Sequence, residues 1–423
     1  MKVFSIACVW ILIVLIAYIL IQGVLSKDRS RIWSPLTVIS LTYFYYCVWP
    51  YFIQMEKYSI DENLHNGPFF HFIALISFIS ILIGFILRSS YKAPRWNQLF
   101  SSNNSNQFGL LLFFLAILCY APFRGFHFTF VYSGVEEQFQ TGGFIYYLIF
   151  MIDILSASAL LLAVKGKVNI ILRILPCWII LSTFLYAGAR WRIVVVVVAV
   201  LTLRTLYPII KRPNYFLIVG LMLIMFLGFS IMDASRNRGK GIDMEKAAEV
   251  DFNDIKQGAG DNYSVYMFSM LALENLQETG TRYYFDPLVH AVAMPIPRFL
   301  FPNKPNAEYI HSLERSVLGD DSGGAAFLNF VEGYLSFGII GVIIYGLILG
   351  FLAKCVWTNY LNNKDSLGAI ILLGLFSGIC YCIITRGYLA STVTYVLYSV
   401  CLPFWICMIF NSLLKTSERS HIK

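Results

Sequence analysis

Arginine and lysine residues in four short segments are the side chains of this sequence best suited to chemistry. The segments are YAGARWRIVVVVVAV (186–200), DASRNRGKG (233–241), PIPRFLFPNKP (295–305) and TRGYL (385–389). Their cations are Arg190, Arg192, Arg236, Arg238, Lys240, Arg298, Lys304 and Arg386. A guanidinium group stays charged at physiological pH, and its planar fork matches phosphate oxygens. These segments therefore predict a site for a phosphate or pyrophosphate group.

Three of these four groups of cations also have a plainer role open to them. A single arginine at a membrane surface can extend its charged head to the lipid headgroups, which is the role we favour for Arg386. The group at 233–241 could be the solvated start of a loop, although its two glycines would let the backbone approach a ligand closely. Arg190 and Arg192 together, beside Gly188, favour an anion site over two independent surface contacts.

The composition indicates that a membrane protein must position these residues. The 423 residues are 58% hydrophobic with a mean hydropathy of +0.68, and only 13% are charged, against about a quarter in soluble domains. The net charge of +8 does not indicate nucleic-acid binding, because the basic residues stand singly or in small groups between apolar runs. The six histidines form no ligand pair and the nine cysteines form no CxxC, so we expect neither a metal site nor a disulfide.

The predicted fold is an all-α polytopic membrane protein with about eleven spans, in a range of 10–12. A hydrocarbon core about 30 Å thick requires about 20 apolar residues per helix. Suitable runs lie near 3–25, 33–54, 68–87, 107–123, 143–164, 168–187, 192–210, 214–232, 328–353, 367–385 and 388–411. The chain then divides into eight spans in 1–232, one large loop at 233–327, and three spans with a tail in 328–423.

The lysines and arginines of the short loops predict the orientation, because cytoplasmic loops are enriched in them. One alternating set holds fifteen, namely Lys27, Arg29, Arg31, Arg88, Lys92, Arg95, Lys165, Lys167, Lys211, Arg212, Lys354, Lys364, Lys415, Arg419 and Lys423. The other set holds six, namely Lys2, Lys57, Arg124, Arg190, Arg192 and Arg386. We therefore expect an external N-terminus, a cytoplasmic C-terminus and an external loop at 233–327.

The large loop carries helical patterns of its own. The stretches at 243–257 and 263–277 show helical apolar spacing. The stretch NAEYIHSLERSVLG at 306–319 starts with an N-cap candidate, Asn306, and ends on Gly319. An ordered external loop of this length is more often functional than incidental.

The chemistry and the topology together indicate the kind of phosphate. The cationic segments fall on the external side, where nucleotides are not normally available, and the chain has no Walker A or GxGxxG motif. A lipid-linked phosphate or pyrophosphate is available there, with its apolar tail held between helices.

Within the membrane, Asp153 with Arg204 could form a structural pair at similar depth, which we favour over a proton relay.

Three motifs resemble those of the O-antigen polymerase family of oligosaccharide repeat-unit polymerases. The first is an outward GxR turn followed by a β-branched span, and the second is a loop motif similar to PRxLxPxKP. The third is an acidic–x–Tyr–x–x–Phe–Gly sequence at the start of a late span, and WSPL at 33–36 is also similar to family usage. The matching residues are Gly188 and Arg190, then Pro297, Arg298, Pro302, Lys304 and Pro305, then Glu332, Tyr334, Phe337 and Gly338.

This resemblance implies an inner-membrane enzyme of a Gram-negative bacterium with a fold like that of the membrane GT-C glycosyltransferases. Its substrates would be oligosaccharide units on undecaprenyl pyrophosphate at the periplasmic face. It would be a metal-independent glycosyltransferase that needs no other cofactor, with membrane lipids and a chain-length regulator protein as partners. The growing chain would be transferred from one lipid carrier onto the sugar of the incoming unit.

Such a transfer needs countercharge for the departing pyrophosphate and a base for the acceptor hydroxyl. The expected pyrophosphate-binding residues are Arg190, Arg192, Arg236, Arg238, Arg298 and Lys304. The favoured base is Glu332, His311 is second, and Asp320 or Asp321 is third. Plainer roles are an exposed helix residue for His311 and, for Glu332, an acid stabilised at a helix N-terminus.

Two other functions fit the same sequence. A ligase that moves the finished polysaccharide onto lipid A core would share the fold, the lipid carrier and the arginines. A flippase for the same lipid-linked unit is the non-enzymatic alternative, but transporters often consist of two matched halves. The chain has no internal repeat and a single large external loop, which argues against the flippase.

Overall fold

A computed structural model of the protein describes residues 2–26, 28–52, 67–87, 99–100, 104–124, 148, 150–164, 168–186, 190–207, 220, 236–237, 241–242, 261–305, 307–319 and 326–421. These ranges include all of the last three predicted spans and most of the second half of the predicted external loop. The predicted helix at 243–257 lies outside them, as does the predicted span at 214–232 apart from residue 220.

Helices make up nearly all of the described first half. They are α1 (Lys2–Leu25), α2 (Pro35–Tyr43), α3 (Gly67–Ile86), α4 (Ser105–Arg124), α5 (Leu155–Ala163), α6 (Ile170–Tyr186) and α7 (Arg190–Leu206). Short 3₁₀ turns at Arg29–Trp33 and Met151–Ile154 precede α2 and α5, and a π-helical turn at Phe44–Val48 extends α2. One two-residue antiparallel pair, β1 (Arg236–Asn237) with β2 (Gly241–Ile242), lies in the predicted loop.

The second half continues with three loop helices and a further group of apolar ones. The loop helices are α8 (Asp261–Thr279), α9 (Asp286–Ala293) and α10 (Glu308–Leu318). They are followed by α11 (Asn329–Phe337), α12 (Ile339–Asn362), α13 (Leu367–Thr385), α14 (Leu389–Val396) and α15 (Leu402–His421). A π-helical turn at Leu397–Cys401 joins α14 to α15 without a break.

Five helices of the described part are long and apolar enough to cross a membrane. They are Val3–Leu25, Gly67–Ile86, Ile339–Asn362, Leu367–Thr385 and Leu389–Leu413. Shorter apolar helices lie at Ser105–Tyr120, Met151–Ala163 and Ile170–Phe184. The chain is therefore a helical, polytopic membrane protein, as predicted. The count of eleven spans and the likeness to GT-C enzymes stay predictions.

The predicted span at 328–353 is wrong as a single helix. The chain breaks at Gly338, which has a φ of +63° and a ψ of −143°, a backbone conformation adopted almost only by glycine. The buried helix α11 precedes this break and the span α12 follows it. Hydropathy alone does not reveal the break, because both sides are apolar. The consequence is that Glu332 lies in a short separate helix rather than at the end of a span.

Two pairs of glycines let membrane helices pack with their backbones close together. Gly346 and Gly350 of α12 face α3, where a Cβ on Gly350 would overlap the carbonyl of Ile81. In α13, Gly374 and Gly378 face α7, and a Cβ on Gly378 would lie 2.7 Å from the carbonyl oxygen of Val195. Both pairs have the GxxxG spacing that allows this approach in membranes.

The loop helix α8 shares a core with the membrane helices. Its buried Tyr266 packs against Phe70 of α3, with ring centroids 4.7 Å apart, and Ser269 Oγ accepts a hydrogen bond from the Leu328 amide at 2.9 Å. The predicted helix at 263–277 is thus confirmed within α8. The predicted helix at 306–319 is confirmed as α10, which ends on Gly319 in the left-handed conformation. Its N-cap is Ala307, and Asn306, where the N-cap was expected, lies outside the described residues.

Candidate active site

Glu332 forms the centre of a buried cluster at one end of the membrane helices. It lies in the first turn of α11 and is 2% exposed. The Tyr309 hydroxyl of α10 donates to its Oε1 at 3.1 Å, and the amide of Leu389, the first residue of α14, donates to Oε2 at 2.8 Å. One carboxyl group thereby joins the loop, the helix α11 and the start of the last membrane helix.

The turn before α14 packs directly on the chain that leads into α11. The Gly387 amide donates to the Phe327 carbonyl at 2.6 Å. A Cβ on Gly387 would lie 2.7 Å from the Leu328 carbonyl oxygen, so a larger residue does not fit. This close approach brings the Leu389 amide within reach of Glu332.

The surroundings of Glu332 favour its protonated form. Burial raises the pKa of the Glu332 carboxyl from its ordinary 4.5 to about 8, against the opposing effects of the Leu389 amide and the Tyr309 hydroxyl. Burial and the nearby carboxyl also raise the pKa of Tyr309, so this phenol keeps its hydrogen and acts as the donor. A carboxyl group that titrates near neutral pH can exchange a proton with a substrate.

A histidine lies beside this cluster. His290 of α9 is buried, with Nδ1 3.1 Å from the Pro305 carbonyl and Nε2 2.6 Å from the Tyr388 hydroxyl. Because a carbonyl oxygen only accepts, Nδ1 carries the hydrogen, and the neutral ring accepts from Tyr388 at Nε2. Burial lowers the pKa of His290; the Pro305 carbonyl opposes this effect and the charge of Lys304 adds to it. The imidazole ties the proline-rich segment to the turn before α14.

The proline-rich segment PIPRFLFPNKP is held onto this cluster by its own side chains. The Lys304 ammonium donates to the carbonyls of Met294 at 2.8 Å and Ile296 at 3.2 Å, at the C-terminal end of α9. Arg298 is exposed in a turn between these anchors. The structure therefore brings Lys304 and Glu332 into one region, through Pro305 and His290, and Arg298 lies at its surface.

A cleft opens between the loop helices next to Glu332. Its volume is about 330 Å³, which is in the range of small-ligand sites. The lining residues are Tyr283, Asp286, Val289, Pro305, Glu308 and Tyr309. Tyr309 is common to both features, since it is a lining residue of the cleft and its hydroxyl donates to Glu332.

Arg192 occupies a different environment from the one predicted for a pyrophosphate ligand. Its Nη1 lies 3.3 Å from Oδ1 of the buried Asp153. Four aromatic rings surround the guanidinium at 4.9 to 5.8 Å, those of Phe150, Phe184, Trp191 and Tyr395. The ion pair and the rings are sufficient to explain this arginine structurally.

The predicted pairing of Asp153 with Arg204 is wrong. Arg204 is exposed in the last turn of α7, twelve residues after Arg192 and thus about 18 Å further along the helix axis. Asp153 lies in a 3₁₀ turn before α5 and is level with the first turn of α7. The sequence placed it too deep because the apolar run at 143–164 is centred near it.

The other predicted site residues fall outside this cluster or outside the described side chains. His311 lies on the exposed face of α10, where Nδ1 is 3.6 Å from Glu314 Oε2. Arg190 begins α7 and Arg236 lies in β1, but their side chains are outside the described ones. Arg238, Asp320 and Asp321 lie outside the described residues altogether.

Three residues of the cluster were missed by the sequence analysis. His290, Tyr309 and Tyr388 belong to no local motif, and they meet only because the chain brings residues 290 and 388 together. The available signal was weak: His290 precedes the proline-rich segment on a short amphipathic stretch, and Tyr388 follows Arg386 and Gly387 between two spans.

Among the described residues, no group of three or more His, Cys, Asp or Glu side chains is placed to hold a metal ion.

Comparison with known proteins supplies the family. A search of curated proteins and a search of solved structures found no significant match. A family model described as O-antigen polysaccharide polymerase Wzy matches residues 1–418, nearly the whole chain. The chain therefore belongs to the O-antigen polysaccharide polymerase Wzy family.

Proposed function

We propose that the protein polymerises undecaprenyl-pyrophosphate-linked oligosaccharide units at the periplasmic face of the bacterial inner membrane. The bond between the growing chain's anomeric carbon and its lipid pyrophosphate breaks. A new bond forms to a hydroxyl oxygen of the incoming unit, and undecaprenyl pyrophosphate leaves. The observation that carries this proposal is the buried Glu332, one side chain away from a cleft in the loop, in a chain of this family.

The proposed base for the acceptor hydroxyl is Glu332, acting through Tyr309. The Tyr309 hydroxyl passes its hydrogen to Oε1 of the ionised carboxyl and takes the hydrogen of the attacking sugar hydroxyl. Tyr309 is both a lining residue of the cleft and the hydrogen-bond donor to Glu332, which supports this order of transfer. His311 is the second candidate for the base, and its side chain lies exposed beside Glu314.

Cations of the chain supply the countercharge for the departing pyrophosphate in this proposal. Preorganised positive groups aimed at developing charge each lower a barrier by about 3 kcal/mol. We assign this role to Arg190, Arg236, Arg238, Arg298 and Lys304, with Arg192 as the weakest candidate of the predicted set. Arg192 already forms an ion pair with the buried Asp153, so its positive charge is balanced within the protein.

An exposed apolar face lies beside the proposed site and fits an outer-leaflet location. Val292, Phe299 and Leu300 are each more than 60% exposed, at 70%, 64% and 67%. They belong to α9 and the proline-rich segment, and α9 packs on α14, which begins a candidate membrane span. A lipid-linked substrate in this leaflet would meet the cleft and Arg298 together.

The experiment is complementation of a polymerase-null strain, read as a surface-polysaccharide ladder. Arg190→Ala and Arg298→Ala should each abolish long chains while leaving protein abundance intact. Arg204→Ala is the matched control, since it removes an exposed cation from the other end of the helix that carries Arg190, and it should give a normal ladder. Normal ladders from both test variants would exclude the arginine assignment.

The same strain separates the alternative functions. Loss of only those chains longer than one unit indicates a polymerase, whereas loss of all polysaccharide on lipid A core indicates a ligase. A flippase defect would leave lipid-linked units on the cytoplasmic side, out of reach of any external enzyme. The proposal therefore requires single-unit capping to persist in the null strain.

A further inference from the structure

The cleft beside Glu332 has the chemistry of a carbohydrate site. Two tyrosine rings, a proline and a valine give it apolar walls, and two carboxylates lie at its rim. A sugar ring presents C–H groups on its faces and hydroxyl groups around its edge. Apolar and aromatic walls suit those faces, and carboxylates are strong acceptors for hydroxyl hydrogens.

The charge of the rim argues against the pyrophosphate as the occupant. Asp286 is exposed in the first turn of α9, and Glu308 is exposed in the first turn of α10. Arg315 pairs with Glu308, which leaves one carboxylate uncompensated by that pair. Like charges repel, so the cleft disfavours a phosphate and favours a neutral, hydroxyl-rich ligand.

The walls of the cleft are fixed by contacts with the helix that carries Glu332. The amides of Tyr283 and Tyr284 donate to the carbonyls of Leu335 and Ser336 at the C-terminal end of α11, at 3.0 and 3.1 Å. The Tyr283 hydroxyl donates to Ser312 Oγ of α10 at 2.8 Å. These three hydrogen bonds hold Tyr283 of the cleft wall against α10 and against the helix that carries Glu332.

We infer that this cleft binds the sugar of the incoming lipid-linked unit, with Asp286 and Glu308 accepting hydrogen bonds from its hydroxyl groups. This inference rests on the proposed polymerase function and assigns the acceptor side of it. A sugar held here has a hydroxyl near Tyr309, the residue that joins the cleft to Glu332. The lipid pyrophosphate of the same unit lies outside the acidic rim, toward the membrane.

The test measures binding without turnover. The probe is the free repeat-unit oligosaccharide, released by mild acid from the lipid carrier of a polymerase-null strain. Saturation-transfer difference NMR on the purified full-length protein should give signals with the wild type. The double substitution Asp286→Asn with Glu308→Gln should weaken binding by about tenfold or more, because both changes remove charged acceptors. Glu278→Gln, on the exposed side of α8, is the matched control and should bind as the wild type does.

Each result decides the inference separately from the proposed reaction. No saturation transfer to the wild type, or equal binding by the double variant, overturns the acceptor cleft. If polymer growth depends on Glu332 and Arg298 but the double variant keeps the wild-type KM for lipid-linked units, the cleft is wrong and the reaction stands. Oligosaccharide binding that depends on Asp286, in a protein that makes no polymer, supports the cleft and refutes the reaction.

Discussion

At the scale of single residues, Glu332 has two roles that a substitution can separate. Its Oε2 accepts from the first amide of α14, which is a structural role, and its Oε1 accepts from Tyr309, a residue that lines the cleft, which is the proposed catalytic role. A glutamine keeps an oxygen for the Leu389 amide but cannot accept a proton at neutral pH. The side chain can therefore lose its chemistry while keeping most of its packing.

We expect Glu332→Gln to lower polymer growth by about 10²- to 10⁴-fold, the usual contribution of a general base. Protein abundance in the membrane should stay near that of the wild type. The measurement is the rate of chain elongation from lipid-linked units, with Glu278→Gln as the control. Elongation at the wild-type rate would mean that Glu332 has only its structural role.

The pH dependence of elongation follows from the raised pKa of Glu332. The base must be ionised, so the wild-type rate should rise about tenfold per pH unit below about 8 and level off above it. The free energy of unfolding should change with pH in the opposite direction. Between pH 4.5 and about 8 the Glu332 carboxyl binds more protons in the folded state than in the unfolded state. The stability that this protonation contributes is therefore lost as the pH rises. Glu332→Gln should remove both slopes. A wild-type rate that is flat below pH 8 would contradict the assignment.

At the scale of elements, the break at Gly338 gives Glu332 its position. The break ends α11 after nine residues and lets α12 start as a separate membrane span. The guanidinium group of Arg282 lies beside Gly338, and its central carbon, Cζ, is 4.3 Å from the centre of the Tyr334 ring. Hydropathy finds the apolar residues on both sides but not the turn, which depends on the backbone conformation of one residue.

Gly338→Ala should destabilise the protein by about 1 to 3 kcal/mol, because alanine is strained in this backbone conformation. The measurement is thermal unfolding in detergent together with the elongation rate. Gly319→Asn is the matched control, since Gly319 also has a positive φ of 78° but in the left-handed region that asparagine tolerates, with open space around it. Equal melting temperatures for Gly338→Ala and the wild type would show that the break does not need glycine.

At the scale of the whole molecule, the described contacts separate two ends of the helix bundle. Lys364 pairs with Asp28 at 2.7 Å, so the chain after α1 and the chain after α12 lie at one end. At the other end of α13, about 28 Å away for its 19 residues, the turn before α14 meets the chain into α11. This agrees with the predicted grouping of loops, and the assignment of each end to a side of the membrane stays a prediction.

Cysteine labelling in intact cells should assign the two ends. Leu318→Cys, in the last turn of the loop helix α10, should react with a membrane-impermeant maleimide added from outside. Asp365→Cys, in the exposed turn beside Lys364, should react only after the inner membrane is permeabilised. The nine native cysteines lie within helices, and the labelling of the wild-type protein measures their background reaction with the maleimide. The reverse pattern would invert the topology and place the cleft in the cytoplasm.

The sequence predicted the membrane class, the spans near 3–25, 68–87, 367–385 and 388–411, and two of the loop helices, because apolar length and helical spacing are local properties. It also singled out Glu332 and Lys304, which the structure brings into one region. It did not find His290 or Tyr388, whose contact spans 98 residues of sequence. It paired Asp153 with the wrong arginine because depth in the membrane depends on where a helix starts, which hydropathy resolves poorly.

The central claim is tested most directly by polymer growth in a defined system. Purified wild-type protein in liposomes, given undecaprenyl-pyrophosphate-linked units as its only substrate, should produce a ladder of chains. One undecaprenyl pyrophosphate should be released per linkage formed. Lipid-linked units that stay unchanged, or that are transferred only when lipid A core is added, would contradict the account.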